Sequence, residues 1–292
     1  METILRSATR EVRIQAGQPT VTIGERINPT GKKRLAEALR EGNIDYVVAE
    51  ALAQFEAGAD VLDINVGTTG VDEVALIPKV LRAVMTAVPL PVSLDSSNPE
   101  VLRAGLQAHR EIAPQGKPLI NSITGEESRL QSVLPLVAEY KAAVIGLAMD
   151  DKGIPATPEE RLEVAKRILK RASEFGIPKE DILLDCLAMT VGADSQAGRI
   201  TLECIRLFKQ ELGNNMTLGV SNISHGLPER DVVTQTYLIM AILSGVNCPI
   251  IDTAKMRPAI LAADLLLGRD EYASRYIKDF KKRQKRLEAQ AK

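Results

Sequence analysis

Three consecutive stretches decide the fold: ADVLDINV (59–66), EVALIPKVLRAVMTAV (73–88) and LPVSLDSS (90–97). The outer two are short, β-branched and aliphatic, with the length of strands. The middle one repeats its apolar residues at helical spacing. Strands apolar on both faces and joined by a helix belong in a parallel sheet.

The same alternation runs through the rest of the chain. Further runs are VTIGERI from Val21, KPLINSI from Lys117, AAVIGLAM from Ala142, DILLDCL from Asp181, MTLGVSN from Met216 and CPIIDTA from Cys248, making eight strands in all. Between them lie DYVVAEALAQFEAG, PEERLEVAKRILKRASEFG and QTYLIMAILSG, helical in period and closed by Gly, a common C-cap. Eight β/α units favour a closed barrel over an open doubly wound sheet. The absence of GxGxxG after the first strand points the same way. The expectation is an α/β protein, a (β/α)8 TIM barrel, with residues 1–292 forming one domain. Residues 1–18 are a short N-terminal extension, and residues from about 270 to 292 form a solvated terminal helix.

Composition narrows the function. Charged residues make up 26% and the net charge is −1, so there is no basic footprint for nucleic acid. Aromatics are 3% and Trp is absent, which argues against gripping sugars or single strands by stacking. Cys186, Cys204 and Cys248 form no CxxC pair and have no His neighbour, so they read as core residues. With His109 and His225 as the only histidines, no metal site is expected. METILRSATREVRIQ has no secretory apolar region, and no apolar run spans a bilayer, so a cytoplasmic protein is expected.

Nearly every strand run ends in polar groups. These are Glu25 and Asn28, Asp63 and Asn65, Asp95 and Asn98, Asn121, Asp185, Ser221 and Asn222, and Asp252. In a barrel these ends meet at one mouth. Carboxylates and amides inside apolar runs are costly to bury unpaired, so their convergence reads as a polar ligand pocket. Structural roles compete with that reading. Asp63 and Asn65 could cap a helix or tie loops, and one of Ser96, Ser97 and Asn98 could cap the helix after Pro99. Glu25 could pair with Arg26 or Lys32, and Asp252 with Lys255 or Arg257. His225 reads as a rim residue and His109 as a helix-surface residue. The edge of a pterin ring carries adjacent N–H donors that one carboxylate can accept together, with Asn amides meeting the remaining positions.

GERINPTGKK (24–33), DINVG (63–67), SLDSSN (93–98), INS (120–122), IGLAMDDKGIP (145–155), DILLDC (181–186) and GVSNISHGLP (219–228) resemble, in order, the pterin-binding methyltransferases related to dihydropteroate synthase. Among these the chain most resembles the methyltetrahydrofolate:corrinoid protein methyltransferases, over about residues 20–280. The resemblance implies a dihydropteroate synthase-like barrel. It implies pterin hydrogen bonds at Asp95, Asn121 and Asp185, with Asn222 near the methyl-bearing ring nitrogen as the catalytic donor. Gly219, Ser221, Glu25, Asp63 and Met149 join the pterin set, with Asn28, Asn65, Asn98, His225 and Asp252 around it. The implied substrate is tetrahydrofolate or methyltetrahydrofolate. The chain lacks the DxHxxG of a cobalamin domain, so the corrinoid is expected on a separate corrinoid protein. A homodimer is implied by resemblance alone. The competing functions are a dihydropteroate synthase-type condensing enzyme, which usually carries a Gly-rich loop and Arg-Val-His ending absent here, and a non-catalytic folate-binding protein.

Overall fold

A computed structural model describes residues 1–290. The chain opens with two short strands, β1 (Glu2–Arg6) and β2 (Glu11–Gln15), paired antiparallel. Seven parallel strands follow: β3 (Ile23–Ile27), β4 (Val61–Ile64), β5 (Val92–Asp95), β6 (Leu119–Ile123), β7 (Ala143–Leu147), β8 (Ile182–Asp185) and β9 (Ile250–Ile251). Their order is β8-β7-β6-β5-β4-β3-β9.

The seventh expected strand, MTLGVSN, bridges β8 and β9 without forming a regular ladder. Met216 pairs with Leu184 on one side, and Gly219 with Ile250 on the other. Thr217 N donates to Leu184 O at 3.0 Å, and Ile250 N to Leu218 O at 3.0 Å. The barrel therefore closes. Regularity is lost because Asn247 Oδ1 takes the Met216 N–H at 2.9 Å, in place of a strand carbonyl. The chain then winds at once into a 3₁₀ turn, Val220–Ser224.

Side chains along each strand alternate between two environments. Leu62, Ile64, Leu94, Ile120, Val144 and Leu184 pack outward in the core shared with the helices. Ile23, Val61, Leu119, Ile145 and Leu183 point the other way, into a separate interior cluster. Two residues further along the same inward face stand Glu25, Asp63, Asn121 and Asp185. The lower barrel is thus filled with hydrocarbon and the upper barrel with polar groups.

The expected N-terminal extension is a plug for the lower end. Leu5, Val12 and Ile14 join the interior cluster, while Glu11, Arg13 and Gln15 face solvent. Arg6 and Lys117 exchange backbone hydrogen bonds, and Asn215 Nδ2 donates to Ile14 O at 2.8 Å.

The helices that carry site-bearing loops have local reasons to start and stop. Helix α1 spans Lys33–Glu41. Helix α2, Ile44–Ala57, ends at Gly58 with φ 95°, a left-handed cap that favours glycine. Helix α3 is Glu73–Ala87, capped by Asp72. Helix α4, Pro99–Ile112, has Pro at its first position and the Asn98 side chain as cap. Helix α5 is Glu127–Tyr140. Helix α6, Pro158–Glu174, begins with a Thr157/Glu160 capping box. Helix α7 is Ala197–Glu211, α8 Arg230–Ser244 and α9 Thr253–Leu266. The terminal helix α10 is Ser274–Gln290; residues 291 and 292 of the expected helix lie outside the described residues. Among the described residues no helix is long and apolar enough to cross a membrane.

His109 corrects an expectation: it is 2% exposed. It continues the apolar stripe of Leu102, Gly105 and Leu106 at helical spacing, so α4 buries it against the core. Burial pushes its imidazole down to about 4, leaving it neutral at ordinary pH.

One buried carboxylate ties the ends of the chain together. Asp264, fully buried on α9, accepts Thr20 N (2.9 Å), Thr20 Oγ1 (2.7 Å) and Arg275 Nη1 (2.9 Å). Removing it leaves two buried Thr20 donors without an acceptor and the partly buried Arg269 and Arg275 without their carboxylate. Asp264→Ala is expected to lose about 3–5 kcal/mol in urea unfolding. A midpoint and slope equal to those of the parent would show that these contacts do not hold the fold.

Candidate active site at the barrel mouth

At the upper end of the interior, Asp95 sits at the centre of an amide cluster. Its Oδ2 accepts Asn65 Nδ2 at 3.0 Å and Asn28 Nδ2 at 3.3 Å. Both amides are held by their own backbone. Asn65 Oδ1 takes Gly67 N at 2.7 Å and Asn28 Oδ1 takes Thr30 N at 3.0 Å, so their donors can only face Asp95. Asn121 Nδ2 donates to Asp63 Oδ1 at 3.3 Å. Asp185 accepts Leu187 N at 2.7 Å on Oδ1 and Gly219 N at 3.3 Å on Oδ2. The first bond needs a sharp turn after β8, which Leu187 makes at φ 64°, a strained value for a branched side chain.

These carboxyl groups are short of positive partners. Burial, then the charge of Asp95, pushes Asp63 well above the usual carboxylate range. Burial also raises Asp95, opposed by the Asn65 hydrogen bond and the charge of Arg129. It raises Asp185 to about 6 against its two backbone donors and Arg161. Glu25 is raised by burial too. Four desolvated carboxyls at one mouth call for a ligand rich in N–H donors.

Beside this floor opens a cleft of about 890 Å³ between the β3–α1 loop, the 3₁₀ turn and the start of α9. Glu25, Asn28, Ser221, Asn222, His225 and Asp252 lie on its wall. Ser221 Oγ donates to Glu25 Oε2 at 3.4 Å. Asn222 is exposed on the turn, and among the described residues its side-chain amide makes no hydrogen bond. A Cβ on Gly219 would stand 3.3 Å from Asn222 Nδ2, so glycine there leaves the amide room to turn. His225 lies on the rim, its carbonyl accepting Thr190 Oγ1 at 2.7 Å. Met149 borders the mouth from the loop after β7, where its carbonyl takes Gly125 N at 2.7 Å.

Asn98 takes the helix-capping role open to it, and two expected pairings, of Glu25 and Asp252, resolve differently. Asn98 spends its side-chain oxygen on Glu100 N at 2.9 Å, which makes it a helix cap and draws it away from the other site residues. Glu25 pairs directly with neither neighbour, because Lys32 Nζ bonds the carbonyls of Glu25 and Asn28 instead. Asp252 faces Arg26 at 3.7 Å; Lys255 is taken by Asp231 and Arg257 by Asp279. Two arginines that the sequence reading passed over, Arg129 and Arg161, reach the mouth from below. Each sits in a charged helical segment that reads as a solvated face, and only the folded loops show where their guanidinium groups go.

Among the described residues no cluster of His, Cys, Asp and Glu could hold a metal ion. The family described as pterin binding enzyme matches residues 24–252. Over 272 residues the chain is 30% identical to a methylcorrinoid:tetrahydrofolate methyltransferase of Eubacterium limosum, covering 89% of this chain and 96% of that protein. It is 35% identical over 257 residues to the methionine synthase of Mycobacterium leprae (strain TN), covering 83% of this chain but only 21% of that longer protein. In three dimensions it resembles a Yersinia pestis DHPS holding a pterine–sulfa conjugate, with a TM-score of 0.69, 17% identity and coverage of 92% and 99% of the two chains. It also resembles a Xanthomonas albilineans dihydropteroate synthase, with a TM-score of 0.67, 21% identity and coverage of 91% and 98%. At those identities the likeness is one of fold, and it bears out the barrel.

A carboxyl raised by burial favours folding while protonated and opposes it once ionised. Asp185, unfolded near 3.8 and folded at about 6, therefore contributes stability in acid that is lost as pH rises through about 6. Asp185→Asn is expected to stabilise the ligand-free protein at pH 8, by up to about 3 kcal/mol, and by about half as much at pH 5. Urea unfolding at the two pH values checks this. Equal effects at both would mean that Asp185 is not a desolvated acid.

Proposed function

Since the chain belongs to the pterin binding enzyme family, we propose that its barrel mouth holds the pterin of tetrahydrofolate while a methyl group passes between N5 and a corrinoid on another protein. The methylcorrinoid:tetrahydrofolate methyltransferase relative, aligned over nearly its whole length, supports this reaction. So does the folate-type chemistry of the mouth. Asp95, Asn121 and Asp185 present acceptors and amides where a pterin presents its ring-edge donors. Each carboxyl has burial to recover, because a donor from the ligand offsets desolvation that the free protein leaves uncompensated. The cobalt of the corrinoid supplies the nucleophile in one direction and the methyl donor in the other, and the protein needs no nucleophile of its own.

The single observation that carries the reading is the uncommitted amide of Asn222, standing over the cleft beside Glu25 and Ser221. A tertiary amine is a poor leaving group. As the methyl departs, electron density gathers on N5, a neutral donor there strengthens its bond in the transition state, and N5 takes its proton from solvent. A capping Asn would have its oxygen occupied, as Asn98 does. A condensing enzyme of the dihydropteroate synthase type shares the barrel, but those neighbours support fold alone.

The corrinoid protein must dock over the mouth, and the opposite need is a surface for a second copy. The exposed face of α8 carries Val232 (60% exposed), Ile239, Met240 and Leu243 (64%), spaced as one apolar stripe along the helix. Such a stripe on a soluble barrel supports a two-fold self-contact, giving the homodimer.

Asn222→Ala is expected to lower kcat/KM by about 10²–10³-fold in single-turnover methyl transfer, with equilibrium methyltetrahydrofolate binding weakened far less. Equal losses in binding and rate would make Asn222 a plain ligand contact. Leu243→Glu is expected to shift the protein from dimer to monomer in sedimentation velocity; a parent already monomeric at micromolar concentration rejects the α8 interface.

A further inference from the structure

Two arginines, Arg161 buried and Arg129 half-buried, repeat one relation at two places in the barrel. Arg129, in the first turn of α5, sends Nη1 to Ser97 O (2.6 Å) and Nη2 to Ser96 O (2.8 Å). It also bonds Ser122 O from Nε at 3.0 Å and from Nη2 at 2.6 Å. Those carbonyls stand one and two residues after Asp95 and one residue after Asn121. Arg161, in the first turn of α6 and 4% exposed, sends Nη1 to Cys186 O (2.7 Å) and Leu187 O (3.0 Å), and Nε to Pro155 O (2.9 Å). Its carbonyls stand one and two residues after Asp185. In both cases a guanidinium from a neighbouring helix grips the turn that follows an inward-facing aspartate.

Neither arginine forms an ion pair among the described residues, and each binds backbone carbonyls alone. Taking a guanidinium with no ion-pair partner out of water is costly, and a neutral donor would satisfy the same carbonyls more cheaply. The charge itself therefore has a use. The nearest site carboxylate it acts on is Asp95 for Arg129 and Asp185 for Arg161.

We propose that Arg129 and Arg161 are positioning residues for pterin binding: each clamps the turn after one aspartate, aims that aspartate into the mouth and holds a positive charge behind it. This rests on the reading of the mouth as a pterin site. The groups facing Asp95 are Asp63 on β4, Asn65, Asn28 and Arg129. Those facing Asp185 are Arg161, the Cys186 thiol and the Tyr237 phenol of α8. Burial raises that thiol and phenol, so both stay neutral, and each arginine is the one cation opposing the burial of its aspartate.

The sign of the pH effect follows. Pterin donors bind the carboxylate form, so affinity falls as pH drops through the aspartate's folded value. Removing the cation behind the aspartate raises that value and moves the acid limb of binding to higher pH.

The experiment is calorimetric binding of methyltetrahydrofolate to the full chain from pH 5 to 9, for the parent, Arg161→Met, Arg161→Lys and Asp185→Asn, with thermal unfolding of each. Methyl transfer is measured in parallel with free cob(I)alamin as acceptor. Arg161→Met is expected to bind roughly 10- to 100-fold more weakly at pH 7, with its acid limb about one unit higher. Its KM should rise while kcat at saturation stays within about threefold of the parent. Arg161→Lys, which keeps the charge and loses the fork, should keep the limb and lose part of the affinity. A folded Arg161→Met with parental affinity and limb overturns the proposal, as does one that loses kcat with KM unchanged. If the Met variant does not fold, Arg161→Lys decides: parental affinity overturns the clamp, and weaker binding on an unmoved limb supports it. Failure of the parent to bind is a different result, and it removes the pterin reading itself.

Discussion

The structure depends on the cost of taking carboxyl groups out of water. Glu25, Asp63, Asp95 and Asp185 occupy the inward face of strands that are otherwise hydrocarbon, and each is pushed toward its protonated form by burial. A barrel gives up stability by placing them there. The surroundings reduce that cost without removing it: paired amides at Asp95, two backbone donors at Asp185 and the Asn121 amide at Asp63. What is left over is available to a ligand whose donors match.

This constraint orders the rest of the molecule. The lower barrel must be dry and well packed, since desolvated carboxyls at the mouth draw on stability that packing below has to supply. The β1–β2 hairpin supplies that seal with Leu5, Val12 and Ile14. The loops at the mouth must be stiff, because a carboxylate that can swing out to water loses both its strain and its aim. Short Asx bonds at Asn28 and Asn65, the left-handed Leu187 and the two arginine clamps all serve stiffness. The 3₁₀ turn bearing Asn222 leaves that side chain unbound among the described residues, where the reacting nitrogen of the ligand is proposed to sit.

Much of this was legible in the sequence. Period-two alternation with polar residues at strand ends predicted which side chains share the mouth, and Asp63, Asn65, Asp95, Asn121 and Asp185 meet there. The hairpin had a signal too, since ETILR and EVRIQ alternate in and out, but their short length before the first barrel run let them pass as an extension. The irregularity of the seventh expected strand had none, because Asn247 replaces a ladder carbonyl from 31 residues away. His109 misled because histidine in a charged helix reads as surface, while its position in the apolar stripe decided its burial. Arg129 and Arg161 were invisible for a further reason: a guanidinium that binds only carbonyls leaves no mark in side-chain identity.

The central claim is that buried acids at the mouth wait for donors of a pterin. Proton exchange on binding reads it most directly. Titrating pterin calorimetrically into the protein at pH 6, in buffers of differing ionisation enthalpy, should show release of roughly half a proton per site, as Asp185 passes from about half protonated to ionised. That release should be absent in Asp185→Asn. Binding at pH 6 with no proton released, or with proton uptake in both proteins, would contradict the account.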